Sequence, residues 1–455
     1  MAEFDLVLHG TIVSAQAVRS DGWIAVKGEK VAARGTGTPP SALHVVDAGD
    51  GWIMPGVIDG QVHSGSQAGQ EGLGWASRAA AAGGVTVMVD MPYDDPEPVA
   101  SAPQLAAKIA EVERDCHVDV ALFATVNRLH GMDVIPDLIA GGACAFKFST
   151  FEASPNRFPR VEEDDLYEAF RRIAPSGLAC GVHNQMQDIT RRNIAQLQEA
   201  GETGYDAFYR AHPPLVENLA DVLIYEIGHE TGARAHVVHA STDRSFEIFK
   251  MFEAAGSPVS IETCVQYLML NQEDDAERLG AKIKHYPPIR PRADVAALWR
   301  HIARGDCTFV SSDHVSWGLE RKGHPDIFRN SSGGPGLETL LPAFWTGCRQ
   351  HNLPLTTVVQ QLCTGPARHF LLDDRKGSLE VGMDADIVVL ARDGTPFDPA
   401  SSLSAVTWSS FEGMEFDVRV VATWCRGTLV YDDGAIRNQA GFGRFLRPRK
   451  TGAAA

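Results

Sequence analysis

Residues 55–63 read Pro55-Gly56-Val57-Ile58-Asp59-Gly60-Gln61-Val62-His63. The run is short, apolar and bounded by Pro and Gly, the signature of a buried strand, and it closes on Gln61 and His63. Working outward, seven more such runs follow at 85–91, 118–125, 143–148, 178–183, 235–239, 258–262 and 307–312, separated by helical stretches. Eight strand–helix units in about 320 residues predict an α/β fold, a (β/α)8 TIM-like barrel, with its active site at the C-terminal ends of the strands. The barrel is expected over residues 55–378.

The flanks have a different texture. Short alternating runs at 5–9, 11–14, 23–27 and 43–47 return near the other end at 385–391, 406–409, 418–424 and 427–431. The two ends are expected to pair into a small β-sandwich module, residues 1–54 with 379–435. Residues 436–455, basic and rich in Gly and Ala, are expected to form an arm or an unordered tail.

Composition narrows the function. With 44% hydrophobic and 22% charged residues among 455, the chain has the balance of a folded soluble protein and not of a disordered or fibrous one. Its 41 Lys and Arg against 58 Asp and Glu give a net charge of −17, which repels a phosphate backbone, so no nucleic acid partner is expected. No window reaches the roughly 18 apolar residues of a membrane helix, and the acidic start lacks the basic region of a secretory signal. A cytoplasmic protein with no membrane partner is the expectation. The eight cysteines form no CxxC pair and read as reduced, buried, small hydrophobes.

The residues at the predicted strand ends are Gln61, His63, Lys147, His183, His239 and Asp313. Imidazole and carboxylate suit zinc or a similar divalent ion, and a lysine joins them only if its amine becomes a carbamate. Lys147 lies inside Cys144-Ala145-Phe146-Lys147-Phe148, where an ammonium costs several kcal/mol unless paired or modified. A salt bridge to Asp313 or Glu262 is the structural alternative.

These segments resemble the amidohydrolase superfamily, in its cyclic amidase branch of hydantoinases, dihydropyrimidinases, allantoinases and dihydroorotases. The resemblance runs through residues 55–63, 79–92, Ala145-Phe146-Lys147, Gly181-Val182-His183, 236–241, 262–268, 284–290, Ser312-Asp313-His314 and 377–386. It implies that His63 binds the more buried metal, that carboxylated Lys147 bridges, that His183 and His239 hold a second metal, and that Asp313 ligates and serves as base. It further implies a divalent cofactor, zinc with manganese or iron as alternatives, at one or two per chain. The implied reaction opens the C–N bond of a small heterocycle, a cyclic amide, imide or ureide, by a metal-activated water. A homo-oligomer, dimer or tetramer, is implied as well.

The departures from the family pattern are specific. Gln61 stands where the family has a histidine, and an amide oxygen is a weaker donor, which leaves the metal count open. The tyrosine that hydantoinases place beyond the bridging lysine is absent; Phe148, Phe151 and Glu152 occupy that stretch. Ser332 and Gly333 lie in a loop resembling one that contacts the substrate ring, and His314 and Phe151 are further candidates for substrate contact. Asp59 reads as an orienting group or a turn residue, and Arg290 as a bidentate contact to a substrate carboxylate or a loop tie, with the structural role preferred. A polar segment at 64–70 reads as a lid or a surface loop. The rival reading is a metal-poor, non-catalytic relative acting as a structural or binding partner, for which Gln61 would be a first step.

Overall fold

The computed structural model describes residues 2–66, 71–127, 129–155 and 157–450; the Gly69 end of the proposed lid lies outside them. The chain ends meet. Four N-terminal strands, β1 (Phe4–Val13), β2 (Val18–Lys27), β3 (Lys30–Thr36) and β4 (Ala42–Pro55), come first. The barrel follows: β5 (Val57–His63), β6 (Val85–Asp90), β7 (Asp119–Ala124), β8 (Ala145–Ser149), β9 (Ala179–His183), β10 (Arg234–Val237), β11 (Val259–Cys264), β12 (Phe309–Ser311) and β13 (His314–Val315). The last four are β14 (Ile387–Arg392), β15 (Val418–Cys425), β16 (Thr428–Asp432) and β17 (Ala435–Ile436).

β4 is long enough to serve both halves of the terminal module. It runs parallel to β1 along most of its length, then pairs antiparallel with β14 at Trp52 to Pro55. One eight-stranded sheet results, in the order β17-β16-β15-β14-β4-β1-β2-β3. Leu8, Ile24 and Val31 from one half and Ile387, Val389 and Trp424 from the other bury into a single apolar cluster. The run at 406–409 is no strand. Its backbone turns beside Ser404, whose hydroxyl accepts from the Val406 N–H, while Trp408 reaches out to donate to the Trp317 carbonyl at 2.7 Å.

The barrel strands pair in parallel and in sequence order from β5 to β12. The eighth strand is broken at Ser312 and Asp313. Its first piece, β12, bonds to β11, and its second, β13, bonds to β5, so the interruption closes the ring. The floor of the barrel interior is filled by Ile58, Phe123, Phe309, Phe370 and Leu446. Gly60 exists to admit Phe309, since a Cβ there would meet the Phe309 ring at 2.4 Å. Within the tail, the Leu446 N–H donates to the Val120 carbonyl at 2.8 Å and its side chain is buried in this floor cluster, where the strands begin. With that end sealed, the polar chemistry is left at the opposite mouth.

Candidate active site

Three predicted residues meet at the break in the eighth strand. Gln61 Nε2 donates to Asp313 Oδ1 at 2.9 Å, and His63 Nε2 lies 3.4 Å from the same oxygen. Asp313 has φ 49°, a left-handed backbone that is unfavourable for a carboxylate residue and is held by its surroundings. Asp59 is what holds it. Fully buried, its carboxylate accepts from the Ser312 N–H at 3.0 Å, from the Ser312 hydroxyl and from the Gln61 N–H at 3.3 Å. Asp59 is therefore an orienting group, and burial pushes its pKa up to about 6.

Across the mouth, His183 at the end of β9 and His239 just beyond β10 converge. His183 Nδ1 and His239 Nε2 are 2.9 Å apart, and His183 Nε2 meets Gln185 Oε1 at 3.1 Å. His239 has φ 45°, a second strained residue at the site. Burial pushes His183 down to about 4 and His239 well below the usual imidazole range. Both rings are thus neutral near pH 7, the form that binds metals.

Lys147 is fully buried on β8 and within electrostatic reach of Asp313, His183 and His239. It forms no ion pair among the described residues, so the salt-bridge alternative is not realised. Burial lowers its pKa to about 8, against the opposing pull of Asp313 and Glu262. Glu262 is buried too, with neither oxygen hydrogen-bonded among the described residues, and burial holds its pKa well above the usual carboxylate range.

Whether these groups fit a divalent ion depends on Lys147 and Gln61. Among the described residues no three His, Cys, Asp or Glu side chains are grouped so as to hold an ion by themselves. A carbamate on Lys147 would add two oxygen donors to the His183 and His239 pair. Gln61 Oε1 is buried and unpartnered among the described residues, an orphaned donor beside His63 and Asp313. With the lysine modified, the residues present fit the group.

Over these side chains lies a cavity of about 330 Å³. Gln61, His63, Lys147, His183, His239 and Asp313 line its base, and Phe151, Ser332 and Gly333 its wall, so all nine come together. Ser332 offers a buried hydroxyl beside the Tyr286 phenol. Gly333 contributes shape only through its amide, which is committed to the Lys284 carbonyl at 2.9 Å, with φ 92°.

One candidate does not belong. His314 faces away from the cavity: Nε2 meets Glu71 Oε2 at 2.7 Å, and Nδ1 accepts from the Gly336 N–H at 3.1 Å. Successive strand residues point to opposite faces, so the neighbour of an inward Asp313 points into the wall. Arg290 is the loop tie expected, ion-paired with buried Glu217 and donating to the His212 carbonyl at 2.8 Å. Tyr93, Arg157, Phe158, Lys284, Arg321 and Asn330 also line the cavity and were not foreseen. Tyr93 lies two residues past a predicted strand end and could have been found that way; the others sit on long loops.

A parallel barrel with histidines, a carboxylate and a desolvated lysine gathered at its C-terminal mouth defines a barrel hydrolase. The chain belongs to the amidohydrolase family, whose profile matches residues 52–430. It is 32% identical to an L-hydantoinase of Paenarthrobacter aurescens over 98% of each chain. It is also 31% identical to an allantoinase of Solibacter usitatus, over 98% of this chain and 95% of that one. The solved L-hydantoinase (dihydropyrimidinase) from Arthrobacter aurescens superposes with a TM-score of 0.94 at 31% identity, covering 98% of this chain and all of the other.

Proposed function

We propose that this protein hydrolyses a ring C–N bond of a cyclic amide, imide or ureide, as hydantoinases and allantoinases do. The observation that carries the reading is the meeting of Asp313, Gln61 and His63 with Lys147, His183 and His239 around one cavity. In this reading His63, Gln61, Asp313, carboxylated Lys147, His183 and His239 hold one or two divalent ions, zinc first, with manganese or iron as alternatives. A bound divalent ion polarises the ring carbonyl and makes water acidic enough to attack near neutrality.

The chain's own groups supply the rest. At about 8, the Lys147 pKa leaves a fraction of free amine near neutrality, and a free amine adds to carbon dioxide with loss of a proton to give the carbamate. Asp313, fixed by Asp59 through Ser312, accepts the proton of the attacking water and returns it to the departing ring nitrogen. Ser332 donates to a ring carbonyl, and Phe151, Tyr286 and Trp317 give a planar ring apolar walls. Full-length similarity to hydantoinases and allantoinases disfavours the non-catalytic alternative.

We extend the reading to a cytoplasmic enzyme, where its eight unpaired thiols stay reduced, and to a dimer or tetramer. No helix of the described chain is long and apolar enough to cross a membrane. Asp313→Asn is the direct test, assayed with hydantoin, dihydrouracil, allantoin, dihydroorotate and cyclic imides. The variant should keep its fold and most of its metal and lose about 10³-fold or more in kcat on whichever ring the wild type opens. A near-wild-type rate removes Asp313 as the base.

A further inference from the structure

The rim of the cavity carries the opposite charge to the chain. The net charge is −17, yet above Asp313 and Lys147, which the proposed reading converts to a carbamate, the cavity is lined by Lys284, Arg157 and Arg321. Lys284 is accounted for: burial lowers its pKa to about 7, and it donates to the carbonyls of Ile327 at 2.9 Å, Phe328 at 3.3 Å and Asn330 at 2.5 Å.

The two arginines are not. Arg157 stands on the loop after β8, half-buried, its Nη1 donating to the carbonyls of Ser66 and, at 3.0 Å, of Tyr93. Arg321 stands on the loop after β13, exposed, its Nε donating to Ser331 Oγ at 3.2 Å and its guanidinium 4.4 Å from the centre of the Trp317 ring. Neither forms an ion pair among the described residues. Asp94 and Asp95 act on Arg157 at longer range, and Asp94 is already bound by Lys108 at 2.9 Å. Each arginine is thus braced by neutral groups, and both line the cavity. Arg321 also disfavours charge on Arg157, so the two guanidiniums are close enough to repel. Like charges braced toward one mouth are relieved when a ligand brings an anion between them.

We infer that the pocket is built for a ring bearing a carboxylate on its side group, gripped at the rim by Arg157 and Arg321 while the ring lies against Asp313 and Ser332. The fork of a guanidinium matches a carboxylate, and two forks from separate loops fix the orientation of the substituent relative to the scissile bond. This rests on the ring-opening reading and adds the substrate class.

The test compares hydantoin-5-acetate with hydantoin-5-acetamide, of nearly the same shape, on the metal-loaded enzyme. The acid should be favoured about 10-fold or more in kcat/KM, and added salt should shrink that preference. Arg321→Gln, at an exposed position where folding is not at risk, should cut the acid-over-amide ratio by about 10-fold, and Arg157→Gln likewise. Arg321→Lys should retain part of it. Equal rates on acid and amide, or a ratio indifferent to both glutamine variants, overturn the inference while leaving ring opening in place. If neither of these rings nor any of the unsubstituted ones is opened, the function reading fails and takes this inference with it.

Discussion

Gln61 is the residue at this site whose side chain is least like a usual metal ligand. Its Nε2 is tied to Asp313 at 2.9 Å and its Oε1 is buried without a partner among the described residues. An amide in this place offers one weak oxygen where an imidazole would offer a stronger nitrogen. Gln61→His should tighten the weaker-held metal about 10-fold, read by competition with a chelator; equal or looser binding would show that the amide is the better fit here. Lys147 was legible from sequence alone, because an ammonium inside an apolar strand demands an explanation. His314 was not. Its neighbour Asp313 marked the right place, but the partner that turns the imidazole into the wall, Glu71, lies far away in sequence and left no local trace.

At the scale of elements, the strands were readable and the loops were not. All eight barrel runs form, since a buried parallel strand is a short apolar run whatever surrounds it. The break at Ser312 and Asp313 was invisible, because Asp59, the residue that stabilises it, acts from the adjacent strand β5, 253 residues away in sequence. Arg157 and Arg321 reach the cavity through loops whose course depends on packing rather than periodicity. β5 also carries a steric test of the barrel. Gly60→Ala would drive a methyl into Phe309 at 2.4 Å, and overpacking of this kind costs about 1–3 kcal/mol. Thermal unfolding should therefore fall by several degrees; an unchanged melt would mean that Phe309 does not pack there.

For the whole molecule, one arrangement explains the location of the chemistry. The terminal sheet joins the two ends, the tail seals the floor with Leu446, and the open mouth collects the polar strand ends. Six ligand-type side chains share one cavity with two arginines that form no ion pair among the described residues, and a bound divalent ion is what the proposed function requires of them. The most direct measurement is metal content per chain on protein purified without chelator, paired with native mass spectrometry to detect a carbamate on Lys147. About one to two divalent ions per chain are expected together with the carbamate, both lost in Lys147→Ala. No bound metal, even after reconstitution with zinc, manganese or iron, and an unmodified Lys147 would contradict it.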